Sequence, residues 1–132
     1  MLSTLWRRLL GRSQLDPLGE RGENVAAKHL RSIGYTILHR NFRCRQGEVD
    51  IIARDGKTLV FVEVKTRKDG LIDPETAVNV DKQKTISRVA EVYLSRFGSS
   101  MPPARFDVVA VIWPRNQKPI IRHTPDAFES TD

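Results

Sequence analysis

Cysteine is nearly missing from this 132-residue chain: Cys44 stands alone. A disulfide within the chain is therefore excluded, and so is a zinc cluster built on thiolates. A lone thiol fits a reducing cytosol, so the expected location is cytoplasmic. With no base partner marked for it, Cys44 reads as a small residue at a loop edge. Also absent is any apolar run near the ~20 residues that a helix needs to cross a bilayer. The opening MLSTLWRRLLGRS mixes apolar with basic residues and lacks the uninterrupted core of a secretion signal. Its Leu2, Leu5, Trp6, Leu9 and Leu10 can form a stripe beside Arg7, Arg8 and Arg12 that would touch a membrane or a partner. The plainer expectation is a frayed terminus. Internal repeats and low-complexity segments are missing as well.

What is there is an ordinary globule's composition, 39% hydrophobic and 29% charged. The length suits one domain able to bury a core without staples. The expected organisation is a basic tail over residues 1–16, a single domain over 17–125 and a short tail over 126–132. The 22 Lys+Arg outnumber the 16 Asp+Glu, for a net charge of +6. A basic surface fits a polyanion, of which nucleic acid is the commonest. Three of the excess cations, Arg7, Arg8 and Arg12, precede the first acid, Asp16.

The periodicity predicts a helix after Pro17 in LGERGENVAAKHLRSIG, with Ala26, Ala27, Leu30 and Ile33 on one stripe and Gly34 as its stop. YTILHRNF reads as a strand and RCRQG as a basic loop. A hairpin follows, EVDIIAR and TLVFVEVK joined at Asp55-Gly56. TRKDGLIDPETAVN reads as a polar loop. Asp81 is a candidate cap for a second helix, KQKTISRVAEVYLSRF, ended by Gly98. RFDVVAVIW is a strand buried on both faces, and PIIRHT a short edge strand. The expected fold class is α/β: a mixed sheet of four to five strands flanked by helices.

The hairpin carries ionisable residues where apolar ones are the rule: Glu48, Asp50, Glu63 and Lys65. With a two-residue turn at Asp55-Gly56, paired residues alternate faces so that these four share a face with Ile52, Leu59 and Phe61. The other face, Val49, Ile51, Ala53, Val60, Val62 and Val64, is wholly apolar. In that register Glu48 lies opposite Glu63. Asp50 is Glu63's diagonal neighbour, with alpha carbons about 7–8 Å apart. Two carboxylates at that spacing repel unless one is protonated or a cation joins them. A divalent ion with oxygen ligands, magnesium or manganese, relieves the repulsion. Glu23, on the first helix's stripe, and Lys82, on the second's, would aim at the same sheet. Blander readings stand beside these. Glu48 at a strand start is a solvated acid, Glu23 a first-turn acid favouring the helix dipole, and Lys82 a solvated lysine. Glu63 and Lys65 could form a simple salt bridge.

An acid on the first helix, an Asp, and Glu-x-Lys on the next strand resemble the PD-(D/E)xK nuclease superfamily, here as Glu23, Asp50, Glu63 and Lys65. The wider string is closer still. GERGENVAAKHLRSIGYTILHRNFR, GEVDIIARDG, LVFVEVKTR and RFDVVAV resemble the bacterial YraN-like family of proposed endonucleases, itself similar to archaeal Holliday-junction resolvases. The match runs over about residues 19–112. The resemblance implies a restriction-endonuclease-like fold and a metal, Mg2+ or Mn2+, held by Asp50, Glu63 and the Val64 carbonyl, with Glu23 bound directly or through water. It implies that Lys65 orients the attacking water, and that Lys82 or Lys84 supplies a further basic position. The proline of the "PD" element is absent, since Val49 precedes Asp50. A resolvase-like enzyme is expected to be a homodimer.

The function so expected is metal-dependent hydrolysis of DNA phosphodiesters, branched DNA included. Arg40, Arg43, Arg45, Arg67 and Lys68 flank the hairpin and would track backbone phosphates without reading bases. Two alternatives come from other classes. One is a nucleic-acid-binding module with this fold and no catalysis; the other is an adaptor docking through its N-terminal stripe.

Overall fold

The computed structural model describes residues 17–69 and 78–131. Helix α1 (Pro17–Ser32) starts on a proline, whose fixed φ suits the first helical position. It buries Gly22, Glu23, Ala26, Ala27 and Leu30, a stripe at helical spacing. Gly34, at φ +97°, closes it: Gly34 N–H donates to the Arg31 carbonyl and Tyr35 N–H to that of Leu30. Glycine takes that left-handed position at least strain.

Three antiparallel strands follow without a break: β1 (Thr36–Cys44), β2 (Gly47–Asp55) and β3 (Thr58–Arg67). The segment expected as a basic loop, residues 43–47, is mostly strand, tightened to a turn at Arg45 and Gln46. Helix α2 (Val80–Leu94) then leads through a 3-10 segment (Ser95–Ser100) to β4 (Ala104–Ile112), which pairs parallel with β3. The antiparallel edge strand β5 (Ile120–Phe128) is longer than the short strand expected. The result is one five-stranded mixed sheet in the order β1-β2-β3-β4-β5. A helix on each face gives the arrangement expected of a restriction-endonuclease-like fold.

Each face has its own core. Ala26, Ala27 and Leu30 of α1 pack on Ile51, Val60, Val62 and Val109. Ile86, Val89, Ala90 and Tyr93 of α2 pack on Ile52, Phe61 and Val108. β3 and β4 are covered on both sides, which explains their nearly continuous apolar runs.

Three local expectations are corrected. Asn79, not Asp81, caps α2: its side chain accepts from Lys82 N–H at 2.9 Å. The helix begins at Val80, which places Asp81 inside its first turn. Gly98 does not end α2 directly, because α2 stops at Leu94 and Gly98 breaks the 3-10 segment that follows. The hairpin turns on Gly56 and Lys57, with Asp55 paired to Thr58, since Gly56 at φ +60° takes the left-handed position. That moves the register by two residues, so the facing parity survives while the partners change. One side chain leaves the parity pattern: Val49 packs with the α2 core, not with Ile51.

At the turn end of the hairpin, a network around a buried acid ties β2, β4, β5 and the α1–β1 connection together. Asp107, fully buried in β4, accepts from Arg105 Nε at 3.0 Å and Asp126 N–H at 3.0 Å, and bonds His123 Nε2 at 2.8 Å. Arg105 also donates to Asp55 at 3.1 Å and to the Tyr35 hydroxyl. Burial alone would raise the Asp107 pKa. Hydrogen bonds from His123, the Asp126 amide and Arg105 outweigh it and hold the group below its ordinary value.

α1 lies unusually close to β3. A Cβ added at Gly22 would stand 1.9 Å from Thr66 Oγ1. Alanine is the better helix former by about 1 kcal/mol, but overpacking of this kind costs about 1–3 kcal/mol. Gly22→Ala is therefore expected to lower the urea midpoint at unchanged slope. A midpoint at or above wild type would show that α1 does not need this close approach.

Candidate active site

The β2–β3 ladder stops at the pair Ile51–Val62. Past it, a side chain takes over from the backbone: Asp50 Oδ2 accepts from Val64 N–H at 2.8 Å. In an extended strand a residue's N–H and C=O point to the same side. The Val64 carbonyl therefore faces the same gap. Continuing the register sets Glu63 opposite Asp50, not diagonal to it as expected. Glu48 falls away from Glu63 and pairs with Arg43 Nε at 2.9 Å.

Asp50 and Glu63 are 6% and 5% exposed, so two carboxyl groups lie buried side by side. Burial, then the neighbouring Asp50 carboxyl, push the Glu63 pKa up to about 9, with Lys82 and Lys65 pulling the other way. One oxygen of the pair is left over: Glu63 Oε2 is buried with no hydrogen-bond partner. Lys82 Nζ stands 3.8 Å from it, an ion pair too long for a hydrogen bond.

These groups open into a cleft of about 440 Å³, lined also by Glu23, Lys65, Thr66 and Arg67. The four residues of the acid–Asp–Glu–Lys pattern thus meet in one place. Glu23 is buried in the α1 stripe and is brought to the cleft wall by the α1–β3 contact at Gly22 and Thr66. Its carboxylate lies 3.9 Å from the Arg40 guanidinium. Among the described residues, no three His, Cys, Asp or Glu side chains stand close enough to hold a metal by themselves. Any cation here would complete its shell with the Val64 carbonyl and water. The donor set, two carboxylates and a carbonyl, is the hard-oxygen kind that suits magnesium or manganese.

The basic residues divide into two groups. Arg40, Arg43 and Lys82 are turned toward the carboxylates Glu23, Glu48 and Glu63. Strand pairing sets β1 beside β2, so Arg40 and Arg43 have these acids as neighbours. Arg45, Arg67, Lys68 and Lys84 are exposed, with Arg67 on the cleft wall. Sequence reasoning missed Gly22 and Thr66. The signal for the first was visible, a glycine in the middle of a helical stripe. The N-terminal stripe falls within residues 1–16, outside the described residues.

Fold and site together define a mixed α/β protein whose sheet opens at one end into an acidic, lysine-bearing cleft. The chain belongs to the uncharacterised protein family UPF0102, whose family model matches residues 22–111. A UPF0102 protein of Geotalea daltonii is 48% identical over 120 residues, covering 90% of this chain and 94% of that protein. One from Geobacter sulfurreducens is 53% identical over 113 residues, 85% of this chain and 88% of its own. One from Streptomyces griseus is 45% identical over 108 residues, 80% and 91% respectively.

A raised carboxyl pKa means the fold prefers Glu63 protonated, so its contribution to stability is complete below the ordinary value of 4.5 and is lost as pH climbs toward about 9. In chelator, the melting temperature is expected to fall over that window, and Glu63→Gln should flatten the slope. Equal slopes in the two proteins would mean that Glu63 ionises normally. Added magnesium or manganese should raise the wild-type melting temperature most at the alkaline end, where no proton must be displaced.

Proposed function

We propose that this chain is a metal-dependent endonuclease of the PD-(D/E)xK type that hydrolyses DNA phosphodiesters, branched DNA included. The observation that carries the reading is the buried Glu63 carboxyl. It faces Asp50 across the strand gap, keeps one oxygen without a hydrogen bond, and opens on a cleft that Lys65 lines. The Lys82 ammonium at 3.8 Å is too far to satisfy that oxygen by a hydrogen bond, and a buried acceptor so left is costly unless something binds it.

Asp50, Glu63 and the Val64 carbonyl would hold the cation, with Glu23 reaching it through water. Bound there, magnesium or manganese would offset the phosphate's negative charge and acidify a water molecule. Strand β3 aims the rest. Glu63 and Lys65 share a face two residues apart, so an ammonium sits beside the acid that fixes the site. Lys65 orients the attacking water and lends it positive charge. Lys82, already near Glu63, and Arg67, on the wall, bind the non-bridging oxygens of the phosphate. Phosphate contacts position a strand without reading its bases, which suits a substrate recognised by shape. Cutting a four-way junction symmetrically takes two such sites, so the working form is a homodimer. A DNA substrate and a lone thiol agree with a cytoplasmic setting.

The test is cleavage of four-way junctions, flaps and linear duplex in magnesium and in manganese. Asp50→Ala and Lys65→Ala should each lower the rate by roughly 100-fold or more. Full activity in Asp50→Ala would place the chemistry elsewhere. Tight DNA binding with no cleavage of any substrate would make the chain a binding module.

A further inference from the structure

A second cleft, of about 530 Å³, lies beside the acidic one, lined by Leu18, Arg21, Lys68, Trp113, Arg115 and Gln117 among others. The two adjoin. Gly19, Glu20 and Arg67 line the first, while Leu18, Arg21 and Lys68 line the second. Trp113 N–H donates to the Arg67 carbonyl at 2.7 Å, which fixes the indole-bearing end of β4 against the end of β3.

The chemistry of this cleft is the reverse of its neighbour's. Its lining has three cations and no carboxylate. Among the described residues, none of Arg21, Lys68 and Arg115 is ion-paired, and all three are exposed. The Arg21 guanidinium lies over the Trp113 ring, 4.2 Å from its centroid. The indole is held from its edge as well, since Nε1 donates to the Gln117 carbonyl at 3.0 Å. The cleft therefore offers a fixed planar stack, with Lys68 and Arg115 as further cations in its lining.

A track for phosphates alone needs cations and no aromatic ring. A paired duplex keeps its bases inside, so only an unpaired base can reach an indole or a stacked guanidinium. We infer that this cleft receives an unpaired stretch of nucleic acid next to the scissile phosphate. A base stacks on the Arg21–Trp113 pair, and the flanking phosphates lie on Lys68 and Arg115. The inference rests on the nuclease reading and narrows it. The substrate is DNA with a single-stranded segment at the cleavage point, as in a flap, a fork or an opened junction, and not uniform duplex.

Trp6 and Trp113 are the chain's two tryptophans, so Trp6→Phe leaves Trp113 as the sole indole reporter. In chelator, this protein is titrated with oligothymidylate, a forked duplex and a blunt duplex. Emission from Trp113 should be quenched by the first two and little changed by the third. Arg21→Ala and Arg115→Ala, at exposed positions, should keep the parent melting temperature. They should weaken binding of the fork about tenfold more than that of the blunt duplex. Unchanged emission on binding the fork, or equal losses on fork and blunt duplex, overturns the inference while the nuclease reading stands. A parent protein that binds no nucleic acid overturns both.

Discussion

Asp50 and Glu63 face each other where the β2–β3 ladder ends, each nearly buried, so bulk solvent does little to soften their repulsion. Like charges so placed cannot both persist unaided, and the raised pKa of Glu63 settles the conflict by favouring a proton there. Much of the nearby architecture serves the same conflict. Lys82 comes in from α2, Lys65 from the same strand, and the Val64 amide bonds to Asp50. A divalent cation would resolve it differently, by displacing the proton.

The two ends of the sheet treat buried charge in opposite ways. At the hairpin turn, Asp107 is as buried as any residue in the chain, yet three donors satisfy it and hold it ionised. Arg105 and His123 complete a network that joins β4, β5, the end of β2 and the residue before β1. That end is closed. At the other end Glu63 keeps an unsatisfied oxygen beside open space. Burial with full satisfaction reads as scaffolding; burial with an acceptor left over reads as a place for something to bind.

The backbone needed for the open end is set by small residues and by strand pairing. Gly22 lets α1 approach Thr66 closely enough to bring Glu23 to the cleft. Gly47, at φ +143°, lies against Thr85 of α2, where a side chain would collide. Basic residues are then sorted by neighbourhood. Arg40 and Arg43 of β1 and Lys82 of α2 are drawn to acids, while Arg67, Lys68, Arg21 and Arg115 remain toward solvent.

Much of this was legible in the order of residues. Helical stripes, strand alternation and turn residues marked both helices and all five strands. The anomaly of acids within apolar strands singled out Asp50, Glu63 and Lys65. Those signals are local, depending on period 3.6, period 2 and the cost of burying charge. Other features needed the tertiary structure. The two-residue change in hairpin register made Asp50 and Glu63 direct partners, because the left-handed demand at Gly56 fixed the turn one residue later than Asp55-Gly56. Pairing between distant segments decided that Arg40 meets Glu23, that Asp107 meets His123, and that Trp113 sits beside Arg67. Apart from Val49, sequence alone determined which residues of the hairpin share a face. Only the packing of those elements decided which charges meet, because electrostatic partners are chosen by distance in space and not along the chain.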